Sequence, residues 1–141
     1  MEVQPTPPTI RGPADWFAGD VYIDSITAGR YGEATSVLSV HFCPGGHTAW
    51  HRDSVGQTLH VTDGVGFVQS RGGPLVTIRP RDVVRIGPGE ERWHGAGPGN
   101  LMTHIALTEG DTQWGDHLTE EEYPATPSGP ATAPEAGDGP E

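Results

Sequence analysis

Residues 42–66 read FCPGGHTAWHRDSVGQTLHVTDGVG, and the placement of polar side chains in this stretch decides the fold. His47, Ala49, His51 and Asp53 fall two apart, so on one strand they leave the same face. Gln57, Leu59 and Val61 do the same on a returning strand, with Ser54-Val55-Gly56 as the connection. The polar groups therefore converge. They alternate with Ala49 and Trp50 rather than with further charges, which predicts the wall of a pocket instead of a solvated surface.

Outward from this unit the pattern stays short-period. VYIDSIT (21–27), SVLSVHF (36–42), GFVQS (66–70), PLVTIRP (74–80), DVVRIG (82–87), ERWHGA (91–96) and LMTHIAL (101–107) all read as strands. Gly and Pro turns separate them, GRYGEAT (29–35) reads as a loop, and Arg71-Gly72-Gly73 as the tip of a hairpin. On SVLSVHF the apolar set Leu38, Val40 and Phe42 faces the core, which puts His41 on the outer face or at a subunit contact. With 21 Gly, 14 Pro and no apolar run of period 3.6, the 141 residues predict one all-β domain, a sandwich or barrel.

The Pro-rich residues 1–9 predict an extended, mobile arm, 10–123 the folded domain, and 124–141 a disordered acidic tail. Between them WGDHLTEEEY predicts a short helix or extended arm capped by Thr119. Ten acids against eight arginines leave residues 1–108 at −2, while nine acids and no base leave 109–141 at −9. Charge of that sign excludes nucleic acid as a partner. The chain has no lysine, so Schiff-base and pyridoxal phosphate chemistry are excluded as well. No stretch reaches the length of a membrane span, the start has no signal region, and the single Cys43 fits a reducing compartment, which together predict a cytoplasmic protein.

Gly45, His51, Asp53, Gln57 and Gly64 keep the spacing of the first cupin motif, which is Gly, five residues, His, one, His, three or four, Glu, six, Gly. Arg81-Asp82, Gly87-Pro88-Gly89 and Arg92-Trp93-His94 stand where the second motif would. The chain thus resembles the cupin superfamily, in particular the small bacterial cupins similar to manganese-dependent hydroxynitrile lyases. The resemblance covers about residues 10–123 and implies a jelly-roll double-stranded β-helix, commonly a homodimer. In that subfamily the metal takes two His and a Gln from the first motif and a His from the second. By position these become His51, Asp53, Gln57 and Arg92. A guanidinium has no free lone pair and cannot ligate a cation. Asp53 and Arg92 are therefore expected to form an ion pair in the metal's place, leaving no cofactor. The alternative is a manganese or iron ion on His51, Asp53, Gln57 and His94.

His94 follows Arg92 by two, and His104 has inward parity on LMTHIAL. The resemblance places both histidines beside the site, so His51, His94 and His104 are the acid–base candidates. Arg92 is a candidate anion clamp or oxyanion stabiliser, Gln57 orients a substrate as donor and acceptor, and His47, nearer the mouth, and Asp53 complete the substrate-binding candidates. His60 and His117 read as surface, Trp50 and Trp93 as core or interface, and Trp16 and Phe17 as a cap on the pocket or a dimer seam. The expectation is an enzyme moving protons without redox chemistry: a lyase, dehydratase, isomerase or cyclase on an enolisable or phenolic small molecule. The GC-rich style of the composition fits a secondary-metabolite pathway such as aromatic polyketide biosynthesis. Two rivals remain open, a metal-dependent cupin that cleaves cyanohydrins or oxidises its substrate, and a cupin that binds a small molecule without turnover.

Overall fold

A computed structural model describes residues 1–28 and 34–124, and all the regular structure in them is β. The strands are β1 Ile10–Arg11, β2 Phe17–Ala18, β3 Val21–Thr27, β4 Thr35–Phe42, β5 His47–Thr48, β6 His51–Asp53 and β7 Gly56–Gly64. They continue as β8 Gly66–Ser70, β9 Val76–Ile78, β10 Val83–Ile86, β11 Arg92–Ala96, β12 Met102–Glu109 and β13 Thr112–Trp114. Most of the expected 29–35 loop and the tail beyond residue 124 lie outside the described residues.

Two antiparallel sheets face one another, as the jelly-roll expectation requires. One runs β1-β3-β4-β12-β7-β10. In the other, β11 pairs with β8 on one side, which in turn pairs with β9. On its other side β11 pairs with β5 and β6, and these pair with β2 and β13. Period-two alternation fills the space between the sheets: Met102 opposes Phe42, His104 opposes Val40 and Ala106 opposes Leu38. Val21, Phe42, Val61 and Met102 form the core at one end, each at most 1% exposed. Burying a side chain such as Phe42 contributes about 1.5–3 kcal/mol.

Three local features depart from regular alternation. Ser54-Val55-Gly56 does not close a hairpin, since β6 pairs with β11 and β13 while β7 pairs with β12 and β10. The turn carries the chain from one sheet to the other, so His51 and Gln57 meet across the interior rather than side by side. Gly56 makes this possible at φ 143, where a Cβ would stand 2.8 Å from the Ile86 carbonyl oxygen. Secondly, His47 opposes Gly95 and His51 opposes Arg92, which sets four steps on one strand against three on the other. The extra residue is a bulge at Ala49-Trp50, and it inverts the parity of everything before it. Thirdly, Thr112–Trp114 forms a strand, and Thr119 caps a single turn, not a helix: its Oγ1 accepts from the Glu122 amide at 3.2 Å while Glu122 Oε1 accepts from the Thr119 amide at 2.9 Å.

Candidate active site

A cavity of about 560 Å³ opens between the sheets. Leu38, Val40, Phe42 and Ala106 form its walls, and His51, Gln57, His94 and His104 form its polar floor. Trp16, Phe17 and Trp114 stand on its rim, with Pro7 and Pro8 beside them. Among the described residues no Asp, Glu or Arg lines it.

Each imidazole is held by its strand and by one polar contact. His51, 3% exposed on β6, donates from Nδ1 to the Ala49 carbonyl at 2.9 Å, a contact the bulge provides. Its lone pair is therefore on Nε2. The ring stacks on Trp114 at 4.5 Å between centroids, and Trp114 stacks on Trp16 at 5.1 Å. His94, two residues beyond Arg92 on β11, lies 5.0 Å from the His51 ring, and its Nδ1 is 3.0 Å from His104 Nε2. His94 Nε2 and His104 Nδ1 are buried without a partner, and the Phe42 edge packs against both rings.

Burial keeps all three uncharged. It lowers His51 to about 3, with the Arg92 charge adding to the effect, and His104 to about 4; it holds His94 well below 6.5, helped by the neighbouring imidazoles. Imidazoles shifted in this direction give their full stability above the unfolded value of 6.5 and lose it as the pH falls toward 4 and 3. The melting temperature should accordingly fall between pH 7 and pH 5, a window in which ordinary carboxylates hardly titrate. A His104→Phe variant should flatten that slope in a thermal-melt series, and an unchanged slope would contradict the assignment.

Beneath the floor lies an ion pair that the cavity does not reach. Arg92 and Asp53 are each 0% exposed, with Arg92 Nη2 donating to Asp53 Oδ2 at 2.5 Å. The same nitrogen donates to Gln57 Oε1, and Nη1 reaches the carbonyls of His51 at 3.4 Å and Glu90 at 3.5 Å. Thr112 Oγ1 donates to the other Asp53 oxygen at 2.5 Å. Gln57 Nε2 donates to Thr108 Oγ1 at 2.8 Å. Neither Arg92 nor Asp53 lines the cavity, so the expectations that Arg92 clamps a substrate anion directly and that Asp53 binds substrate are corrected: their contacts hold both behind Gln57.

These contacts also decide whether the residues suit a metal ion. Of the four positions matching the subfamily's ligands, Asp53 Oδ2 and Gln57 Oε1 accept from the guanidinium of the fourth, and Asp53 Oδ1 accepts from Thr112. The alternative set with His94 shares Asp53 and Gln57 with the first, so the same two oxygens are already engaged by Arg92. Among the described residues no group of three or more His, Cys, Asp or Glu is arranged to hold a metal. The donor set does not fit a metal.

His47 is the second correction. The bulge turns it away from the cavity, where its Nδ1 donates to the Gly45 carbonyl at 2.9 Å and its ring stacks on Tyr123 at 4.1 Å. It belongs to an outer aromatic layer. There Trp93, Trp50 and Tyr123 pack together, with the Arg71 guanidinium 3.9 Å over Trp50. His41 is half-buried and bonded to Asp24 at 2.8 Å, while His60 and His117 are exposed. The sequence reading missed Trp114, Thr112 and Thr108. Alternation of Thr112 and Trp114 about Gln113, just after the Gly110-Asp111 turn, is the signal that would have found the first two.

No family model matches the chain. It is 45% identical over 117 residues to a protein of Granulicella tundricola described as (R)-mandelonitrile lyase, covering 80% of this chain and 89% of the relative. A cupin-like protein of Thermotoga maritima superposes with a TM-score of 0.78 at 39% identity, over 80% of this chain and 89% of that one. The polyketide cyclase RemF of Streptomyces resistomycificus superposes at 0.60 over 73% of this chain and 75% of its own, with 17% identity, a likeness of fold alone.

Proposed function

The chain belongs to the cupin family that includes the (R)-mandelonitrile lyase of Granulicella tundricola, and on that footing we propose that it is a metal-independent acid–base enzyme acting on a neutral small molecule. The observation that carries this reading is the buried Arg92–Asp53 pair, which engages the oxygens a metal would need while leaving three uncharged imidazoles around the cavity. His51 removes a proton from the substrate through Nε2. Negative charge appearing on the substrate favours the imidazolium that forms, offsetting the burial that keeps the ring neutral beforehand. His94, on the neighbouring strand, gives a proton back to the substrate and is restored by the one that His51 has taken, and His104 supports it from behind. Lyase, dehydratase, isomerase and cyclase steps all begin this way when the proton lies next to a carbonyl or on a hydroxyl.

No helix among the described residues is long and apolar enough to cross a membrane. We take 10–123 as the folded unit, cytoplasmic and homodimeric. Exposed Tyr22, Ile26, Val83 and Leu107 on the outer face of the β4 sheet support the dimer, and the unpaired Cys43 supports the compartment.

Incubation in deuterated water with mandelonitrile and a set of neutral enolisable aromatic ketones tests the proposal. Deuterium incorporation or cyanide release above the buffer rate, unchanged by a chelator, is expected. If every compound reacts at the buffer rate, or the activity disappears with the chelator, the reading fails.

A further inference from the structure

The Gln57 amide has a fixed orientation, because its oxygen accepts from Arg92 Nη2 and a guanidinium can only donate. Its nitrogen must then be the atom that donates to Thr108 Oγ1 at 2.8 Å. An amide nitrogen carries two hydrogens, and Thr108 takes one. Gln57 lines the cavity, so the second N–H is left for whatever the cavity holds. We infer that Gln57 is a preset hydrogen-bond donor for a substrate oxygen, that Arg92 acts as the positioning residue that keeps it so, and that the substrate is a neutral carbonyl compound whose oxygen gains negative charge when His51 removes a proton. This deepens the acid–base reading and rests on it.

The arrangement differs from a guanidinium set directly in the cavity wall. A bare arginine would attract carboxylates and phosphates in their ground state. Here the charge is sealed away at 0% exposure and acts on a bound oxygen through the amide, while no charged residue lines the space among the described residues. A carboxylate substrate would lose its hydration without gaining a counterion. A ketone or aldehyde loses little on entry and gains the N–H most strongly as charge develops, which is where donor strength lowers a barrier. The expectation that Gln57 offers both a donor and an acceptor is thereby narrowed to a donor.

Infrared difference spectra of carbonyl-¹³C acetophenone bound to the full chain read this donor without any turnover. The wild-type carbonyl band should lie to the red of its position in hexane, and Gln57→Leu should return it toward the hexane value while weakening binding about tenfold, the loss of one hydrogen bond. Gln57→Glu keeps an acceptor for Arg92 and can accept from the Thr108 hydroxyl but has no N–H, and should lose the shift with the fold intact. The double variant Arg92→Met with Asp53→Leu removes both charges and frees the amide to turn, so its band should broaden or lose the shift. A wild-type band at the hexane position, no uptake of acetophenone, or a shift surviving in Gln57→Leu would overturn the assignment; a shift surviving in the double variant would overturn the role of Arg92. His51→Gln separates this inference from the acid–base reading, since it should keep the shifted band while losing proton exchange. If exchange persists in that variant, the acid–base reading falls while the donor stands.

Discussion

Replacing His51 with glutamine is expected to lower kcat by about 100- to 10,000-fold with KM little changed, the range a positioned general base contributes. Glutamine keeps much of the size and offers a donor toward the Ala49 carbonyl, so the floor should stay closed. It has no group that takes up a proton near neutral pH. His51 holds its lone pair on Nε2 because Nδ1 is committed to that carbonyl, and Trp114 fixes the ring plane by stacking at 4.5 Å. Steady-state kinetics on whichever neutral substrate shows turnover is the measurement. A loss below tenfold, or one confined to KM, would move the base elsewhere.

Replacing Arg92 with methionine should cost the fold about 3–5 kcal/mol, the usual penalty for leaving one partner of a buried pair uncompensated. Asp53 would keep Thr112 and lose the Arg92 charge beside it while remaining 0% exposed. Gln57 Oε1 and the His51 carbonyl would lose donors as well. The double variant with Asp53→Leu should recover most of the loss, because the penalty comes from the stranded charge and the pair itself contributes little net stability. Urea unfolding of both variants decides this. If Arg92→Met unfolds within 1 kcal/mol of wild type by the scale of an exposed pair, the buried pair is not what holds the floor together.

Much of this architecture was legible in the chain. VYIDSIT became β3 residue for residue, and the alternation on SVLSVHF set Leu38, Val40 and Phe42 inward and His41 outward. Such strands read well because a period of two survives any choice of partner strand. His47 was misplaced for the complementary reason. A one-residue bulge at Ala49-Trp50 reverses parity, and nothing within the residues themselves announces it; it is visible only as four steps opposed to three on β11. Arg92 and Asp53 were paired correctly from the motif positions, but their depth was not legible. Whether a guanidinium faces a cavity or lies behind it depends on where Gln57 arrives from the other sheet. Trp114 sat in a segment whose acidic surroundings, Asp111, Asp116 and Glu120 to Glu122, masked a three-residue strand.

The sharpest test is elemental analysis of the full chain, purified without chelator and then equilibrated with manganese and iron before gel filtration. With Arg92 in the place of an ion, the protein should carry far less than one metal per chain, and its activity should not depend on what it carries. One manganese or iron per chain, lost with a chelator together with activity, would contradict the account.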